Sequence, residues 1–335
     1  MEINGKTELF CLIGSPVGHS GSPAMYNYSF QKTNLNCAYL AFDVKLEETE
    51  AAVNGLKTLG CSGFNVTMPC KTRAAELADE LSDAAALIGA CNTMVIKDGK
   101  LYGHNTDGIG FVKNLKEHGV DVKDKVMTVM GAGGAATAIQ VQSALEGARE
   151  IHIFNRRDEF YANAENTAKK IEERVPGVKV NVYPLEDEQK LYEKIGESHI
   201  LVNATKVGMK PMEEESLIKD TRGFRENLVV ADAVYNPRET KRKRRQQGAK
   251  SHWAVSVCFF VRGKQLSGFL PERICPRRKF MKNSFANETN FLNPMEQDIE
   301  RIRKQLGKGM EIGEIADKLH LDREYAWFLF WFGIV

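Results

Sequence analysis

The residues with the plainest chemical use form a glycine-rich turn. Val126-Met-Thr-Val-Met130 runs into Gly131-Ala-Gly-Gly-Ala-Ala136 and then into the helix-patterned Thr137–Leu145. This is G-x-G-x-x-A in the strand–turn–helix order that a dinucleotide fingerprint requires. Gly131 permits the tight turn, Gly133 lets the backbone approach a pyrophosphate, and Ala136 allows close helix–strand packing. Free amides at the helix start can then hold the phosphates. The next strand-like run ends in Asn155-Arg156-Arg157-Asp158. A carboxylate there can accept from an adenosine 2′-hydroxyl, whereas arginine can stack on adenine or pair with a 2′-phosphate. NAD and NADP both stay open. The plainer alternatives are a glycine-rich βα turn and a solvated charge run at a helix start.

The elements that must position these residues are legible from hydrophobic period. Leu9–Ile13, Ala38–Phe42, Gly63–Val66, Val126–Met130, Glu150–Phe154, Lys179–Tyr183 and Ile200–Asn203 read as strands. Glu47–Leu59, Thr72–Leu81 and Phe160–Val175 carry apolar residues at helical spacing. Such alternation predicts α/β units with mainly parallel sheets. A domain boundary is expected within Thr106–Val122, ahead of the strand that enters the glycine turn.

Composition excludes several classes. Across 335 residues, 46 Lys+Arg nearly balance 44 Asp+Glu. The balance is a cancellation, because residues 241–282 hold 13 basic residues and a single acid, Glu272. No apolar run reaches the length of a membrane span, and no secretory signal is visible. Seven cysteines without paired spacing fit reduced thiols, and seven scattered histidines show no metal-ligand spacing. A cytoplasmic protein without a metal is expected.

Four polar clusters lie in the first 110 residues: His19-Ser20-Gly-Ser22-Pro23, Asn65-Val-Thr67-Met-Pro69-Cys-Lys71, Cys91-Asn92-Thr93 and Asn105-Thr106-Asp107-Gly108. Together they resemble the shikimate dehydrogenase family. Asn155–Phe160, Asn203-Ala-Thr-Lys-Val-Gly-Met-Lys-Pro211 and Val234-Tyr-Asn-Pro237 are most similar to its quinate/shikimate branch. The resemblance runs from about Leu9 to Lys241. It implies an N-terminal α/β substrate domain over 1–106 and a Rossmann NAD(P)-binding domain over 107–241, with the active site in the cleft between them. The implied reaction is reversible reduction of 3-dehydroshikimate to shikimate, or of 3-dehydroquinate to quinate.

Interconverting a secondary alcohol and a ketone needs a nicotinamide for the hydride and one group to move a proton. Lys71, close to Asp107 in the implied fold, can donate to the forming alkoxide, with Asp107 orienting it and bonding the reacting hydroxyl. Without the flanking motifs either residue reads as a surface ion-pair member. The resemblance assigns Ser20 and Ser22 to the substrate carboxylate. It implies that Tyr39, Thr67, Asn92 and Asn105 contact the carboxylate or ring hydroxyls. It assigns Ala132, Gly133, Gly134, Ala135, Asn155, Arg156, Arg157, Asp158, Lys206, Ala233, Val234, Tyr235 and Asn236 to NAD or NADP. Thr67 stands where the quinate-using branch has serine, which favours shikimate. The partners implied are these small molecules, with a homodimer admitted.

After Thr240-Lys241 the resemblance stops. The family continues with a G-x-G-M-L-x-W-Q-G segment and a closing helix, neither of which is present. Codons displaced to the third base of Arg244–Lys250, His252–Phe260 and Gly268–Pro276 permit family-like segments in the right order. Residues from about Arg242 onward therefore read as a frameshifted translation. The atypical segment is 242–294, and its 242–283 part is expected to form no native core element. Activity is expected to suffer. A helical tail over 295–335 contains Gly309–Tyr325, which resembles a helix-turn-helix unit, and the aromatic run Trp327–Phe332. A nucleic-acid-binding protein using the basic segment and this tail is the rival reading. A cofactor-binding remnant without catalysis is a third.

Overall fold

Strand β1 (Glu8–Gly14) is apolar on both faces because helices cover both. Cys11 and Ile13 pack with Val53 and Leu56 on one side, while Phe10 and Leu12 pack with Tyr26 and Phe30 on the other. The structure is a computed structural model. It describes residues 3–32, 35–209, 211–220, 224–234, 252–254 and parts of 301–319. After β1 come α1 (Ser22–Lys32), β2 (Cys37–Asp43), α2 (Thr49–Thr58), β3 (Gly63–Val66) and α3 (Lys71–Glu76). Then follow β4 (Glu80–Leu81), α4 (Asp83–Ile88), β5 (Thr93–Lys97), β6 (Lys100–His104) and α5 (Asp107–Glu117). The six strands form one sheet in the order β2-β1-β3-β5-β6-β4.

That sheet is mixed. β5 runs antiparallel to both β3 and β6, and the remaining pairings are parallel. The hairpin β5–β6 turns at Asp98-Gly99, both at positive φ, as the tightest hairpin turns require. The helix expected over Thr72–Leu81 ends early, at Glu76. The Asp79 amide donates to Leu101 O and its carboxylate accepts from Leu101 N, at 2.8 and 2.7 Å. These contacts to β6 draw Glu80 and Leu81 into the sheet as β4.

The second half continues with β7 (Val126–Met130), α6 (Gly134–Leu145), β8 (Glu150–Asn155), α7 (Tyr161–Arg174), β9 (Lys179–Pro184) and α8 (Glu188–Glu197). It closes with β10 (Ile200–Asn203), β11 (Val229–Asp232) and β12 (His252–Ala254). The sheet order is β12-β11-β10-β7-β8-β9, with every pairing parallel. In chain order this is the doubly wound arrangement of a dinucleotide-binding sheet, and its order reverses between β7 and β10.

Strand β12, at the edge of the sheet, lies inside the segment expected to form no native core element. Pairing to β11 uses backbone groups that every residue except proline carries, so it does not need a selected side-chain pattern. The rest of 242–294 lies outside the described residues. In the tail, α9 (Ile312–Leu319) buries Ile315, while Trp327–Phe332 also lies outside them.

The two halves share a core. Ala84 and Leu87 of α4 and Phe111, Val112 and Leu115 of α5 join Val129, Ile139 and Ile151 in one apolar cluster. Close approach of α5 to α6 depends on Gly108, where a Cβ would stand 2.1 Å from Ala138 O. Among the described residues no helix is long and apolar enough to cross a membrane.

Candidate active site

Strand register gathers the polar clusters at one end of the first sheet. Asn65, near the end of β3, is opposite Thr93 at the start of β5, which is opposite His104 at the end of β6. Thr67 follows β3, Asn92 leads into β5 and Asn105 follows β6, while Lys71 and Asp107 begin the helices after β3 and β6. Lys71 opens α3 and Asp107 opens α5, and Lys71 Nζ stands 3.0 Å from Asp107 Oδ2. Asp107 is 8% exposed and Lys71 22%, so water reaches the amine but barely the carboxylate.

Each helix start is tied to the site by further bonds. Asn105 Oδ1 accepts from Asp107 N at 3.2 Å, and its amide donates to Ala90 O at 3.1 Å. The Cys91 amide donates to Lys71 O at 2.9 Å. Burial pushes the Cys91 thiol up to about 12, so it stays protonated beside the pair. Burial also lowers the His104 pKa and keeps that ring neutral near pH 7.

Asn92 is 1% exposed, and its side-chain oxygen is crowded with donors. It accepts from Thr106 N at 2.9 Å, Thr93 Oγ1 at 3.0 Å and Thr106 Oγ1 at 3.1 Å. Among the described residues its Nδ2 has no hydrogen-bond partner. A buried amide N–H₂ without a partner costs about 1–3 kcal/mol, which a bound polar molecule would offset. Tyr39 is wholly buried, stacks on Tyr26 with centroids 4.3 Å apart, and donates its hydroxyl to Asn65 Oδ1 at 2.7 Å. Ser22 opens α1, and its amide donates to the Ser20 hydroxyl at 3.3 Å. Thr67 is half-buried in the loop that leaves β3. Asn65, Thr93 and Thr106 lie inside the quoted motifs, yet sequence reasoning gave them no role.

The glycine turn sits at the order reversal of the second sheet. Gly131 has φ +116°, and a Cβ there would stand 2.8 Å from Ala204 O. Beyond it, positions 133 and 134 have open space where a Cβ would point, and Gly134 and Ala135 are exposed at the start of α6. This open cradle of helix-terminal amides fits a pyrophosphate. Ala132 is buried, and its carbonyl accepts from Asn163 Nδ2 of α7 at 2.7 Å, a support that sequence reasoning missed. At the end of β8, Asn155 Nδ2 donates to Asp158 Oδ1 at 2.9 Å, while Arg156, Arg157 and Asp158 are exposed. Lys206 is exposed, Ala233 half-buried and Val234 buried. Tyr235 and Asn236 lie outside the described residues. Among the described residues no cluster of His, Cys, Asp or Glu is arranged to hold a metal ion.

Gly108 joins the two sets of residues. It follows Asp107 directly and meets α6 at Ala138, about one helical turn past Gly134. A carboxylate–amine pair, its carboxylate buried, therefore lies beside a dinucleotide turn, in a fold with two α/β halves. These features define an NAD(P)-linked alcohol oxidoreductase.

Comparisons with known proteins agree. Residues 12–94 match the family model for the shikimate dehydrogenase substrate binding domain. A shikimate dehydrogenase (NADP(+)) of Streptococcus uberis is 49% identical over 252 residues, which is 74% of this chain and 85% of that protein. A quinate/shikimate dehydrogenase of Escherichia coli is 45% identical over 253 residues, covering 75% and 88%. The crystal structure of a shikimate 5-dehydrogenase from Listeria monocytogenes, in complex with shikimate and NAD, superposes with a TM-score of 0.74. It is 46% identical and covers 76% of this chain and 89% of that one. The chain belongs to the shikimate dehydrogenase family. The nucleic-acid reading gains no support from these relatives.

Proposed function

We propose that Lys71 and Asp107 are the proton-handling pair of an NAD(P)-linked interconversion of 3-dehydroshikimate and shikimate, in aromatic amino acid biosynthesis. The observation that carries this reading is the 3.0 Å Lys71–Asp107 contact near the unpartnered, buried Asn92 Nδ2. The glycine turn would hold NAD(P) by its pyrophosphate, and the cofactor's nicotinamide would supply or accept the hydride. Lys71 Nζ donates a proton to the alkoxide oxygen during reduction and takes it back during oxidation, while Asp107 holds the amine in place. Asn92 donates to a substrate hydroxyl, and Ser20, Ser22, Thr67, Tyr39 and Asn105 shape the rest of the polar pocket. Gly131 and Ala132–Ala135 hold the pyrophosphate, and Asn155–Asp158 the adenosine. Lys206 and Ala233–Asn236 complete the cofactor side. Domain limits at 1–106 and 107–241 accompany this reading.

The test is shikimate-dependent reduction of NAD+ and NADP+, run beside quinate. No turnover with either substrate, together with no shikimate binding, would sink the reading. Exposed Leu40 and Phe42 on edge strand β2 support a homodimer, which sedimentation decides. The free cysteines at positions 11, 37, 61, 70 and 91 accord with a cytoplasmic location.

The charge switch and the end of the motifs near Lys241 support a frameshifted translation from about Arg242. Sequencing the coding DNA tests this. A single intact frame with no family-like shifted frame would refute it.

A further inference from the structure

A carboxamide can present either its oxygen or its nitrogen, and a substrate hydroxyl could bond to both. At Asn92 the choice is already made. A backbone N–H, from Thr106, points at the Asn92 oxygen from 2.9 Å, and only an acceptor can stand there. A second fixed group acts from the other side of the site. Asn65 Nδ2 lies 3.2 Å from Asn92 O, a backbone acceptor, so Asn65 must present nitrogen on that side and oxygen toward Tyr39.

The threonine between them is then directed. Thr93 Oγ1 lies 3.2 Å from Asn65 Nδ2 and 3.0 Å from Asn92 Oδ1. Because Asn65 offers only N–H there, the Thr93 oxygen accepts from it, and its proton goes to Asn92 Oδ1 at 3.0 Å, which is nearer than Thr106 Oγ1 at 3.4 Å. The bonds run one way, from Tyr39 to Asn65, to Thr93, to Asn92. All three polar side chains after Tyr39 are at most 4% exposed, so water is nearly excluded as a competing partner.

The geometry points to Asn65 and Thr93 as positioning residues that, together with the amide and hydroxyl of Thr106, hold Asn92 as a donor-only group toward the substrate. This rests on the substrate reading above and extends it. A hydroxyl bonded to Asn92 must accept there, so its own proton has to go to an acceptor elsewhere in the site. The relay thus selects ligands that carry an acceptor oxygen at that point, and it orients their hydroxyl protons.

Binding of shikimate to the full chain by calorimetry gives the test. Thr93→Val keeps the shape but removes the hydroxyl, and is expected to raise the shikimate Kd about 3–10-fold. NAD(P) affinity is expected to stay within about twofold, and Thr93→Ser to restore shikimate binding. In an Asn92→Ala background Thr93→Val is expected to add no further loss, because it acts through Asn92. Unchanged shikimate binding in Thr93→Val, or a fully additive loss in the double variant, overturns the proposal. A second measurement does not depend on substrate. The Asn92 side-chain amide NMR signals are expected to move in Thr93→Val and to return in Thr93→Ser. If they stay put, the relay is refuted. If they move while the unaltered chain fails to bind shikimate, the relay stands and the substrate reading falls.

Discussion

Lys71 Nζ and Asp107 Oδ2 meet at 3.0 Å although 36 residues separate them, and each opens its helix. The contact is reached from both sides of the first sheet's hairpin and places an amine against an almost buried carboxylate. Lys71→Met is expected to lower kcat about 10²–10⁴-fold, the usual range for losing a positioned proton donor. Asp107→Asn should lower kcat as well. Cofactor affinity, read by quenching of protein fluorescence, should change little in either.

Gly108 offers a mechanical test. A Cβ there would press on Ala138 O at 2.1 Å and on Gln142 Cβ at 2.6 Å, and backbone cannot yield cheaply. Gly108→Ala is expected to cost about 1–3 kcal/mol of stability through overpacking. A drop in Tm, with reduced kcat because α5 carries Asp107, checks it.

Asp158 bears on cofactor choice. Its Oδ1 accepts from Asn155 Nδ2 and Phe160 N, both at 2.9 Å, and so the carboxylate is held at the end of β8. A 2′-phosphate there meets like charge, while Arg156 and Arg157 attract it. Asp158→Ser is expected to raise the NADP-to-NAD ratio of kcat/KM about tenfold, as one removed like charge allows. Steady-state kinetics with both cofactors decides it.

His152 is fully buried on β8, and among the described residues neither ring nitrogen has a hydrogen-bond partner. Glu150 and Glu197 stand 4.0 Å away and Lys194 is also nearby, but burial dominates and lowers the pKa. The unfolded chain therefore takes up this proton at higher pH than the folded one. This contribution to stability is present above the unfolded-state value of about 6.5 and is lost as pH falls toward the folded-state value. His152→Phe should flatten the fall in Tm on acidification below about pH 6.5. An unchanged slope would assign the fall to other groups.

Restoring the shifted frame over residues 242–283 is expected to raise kcat/KM for shikimate at least about tenfold. The resemblance places a G-x-G-M-L-x-W-Q-G segment and a closing helix there, and one recovered hydrogen bond in a buried site is of that order. Parallel kinetics on both chains measures it.

Seven strands were legible because each half alternates short apolar runs with helical spacing, whereas β11 and helices α1, α4, α5 and α8 were not read. The exceptions have physical causes. Glu80–Leu81 carries no strand signal of its own, and Leu101 draws it into the sheet. The hairpin β5–β6 was announced only by Asp98-Gly99, while its strands mix polar and apolar residues. Strand β12 adds to the sheet through its backbone, and hydrophobic pattern does not record that.

By itself the sequence determined the dinucleotide turn, since Gly131–Ala136 is a local device set by residue size and positive φ. Tertiary structure alone decided which donors meet the Asn92 oxygen and which acid meets Lys71. Those outcomes depend on the register of β3, β5 and β6, which brings Asn65, Thr93 and Thr106 within hydrogen-bond reach. A hydrogen bond is directional and short-ranged, so it is settled only after the strands are paired.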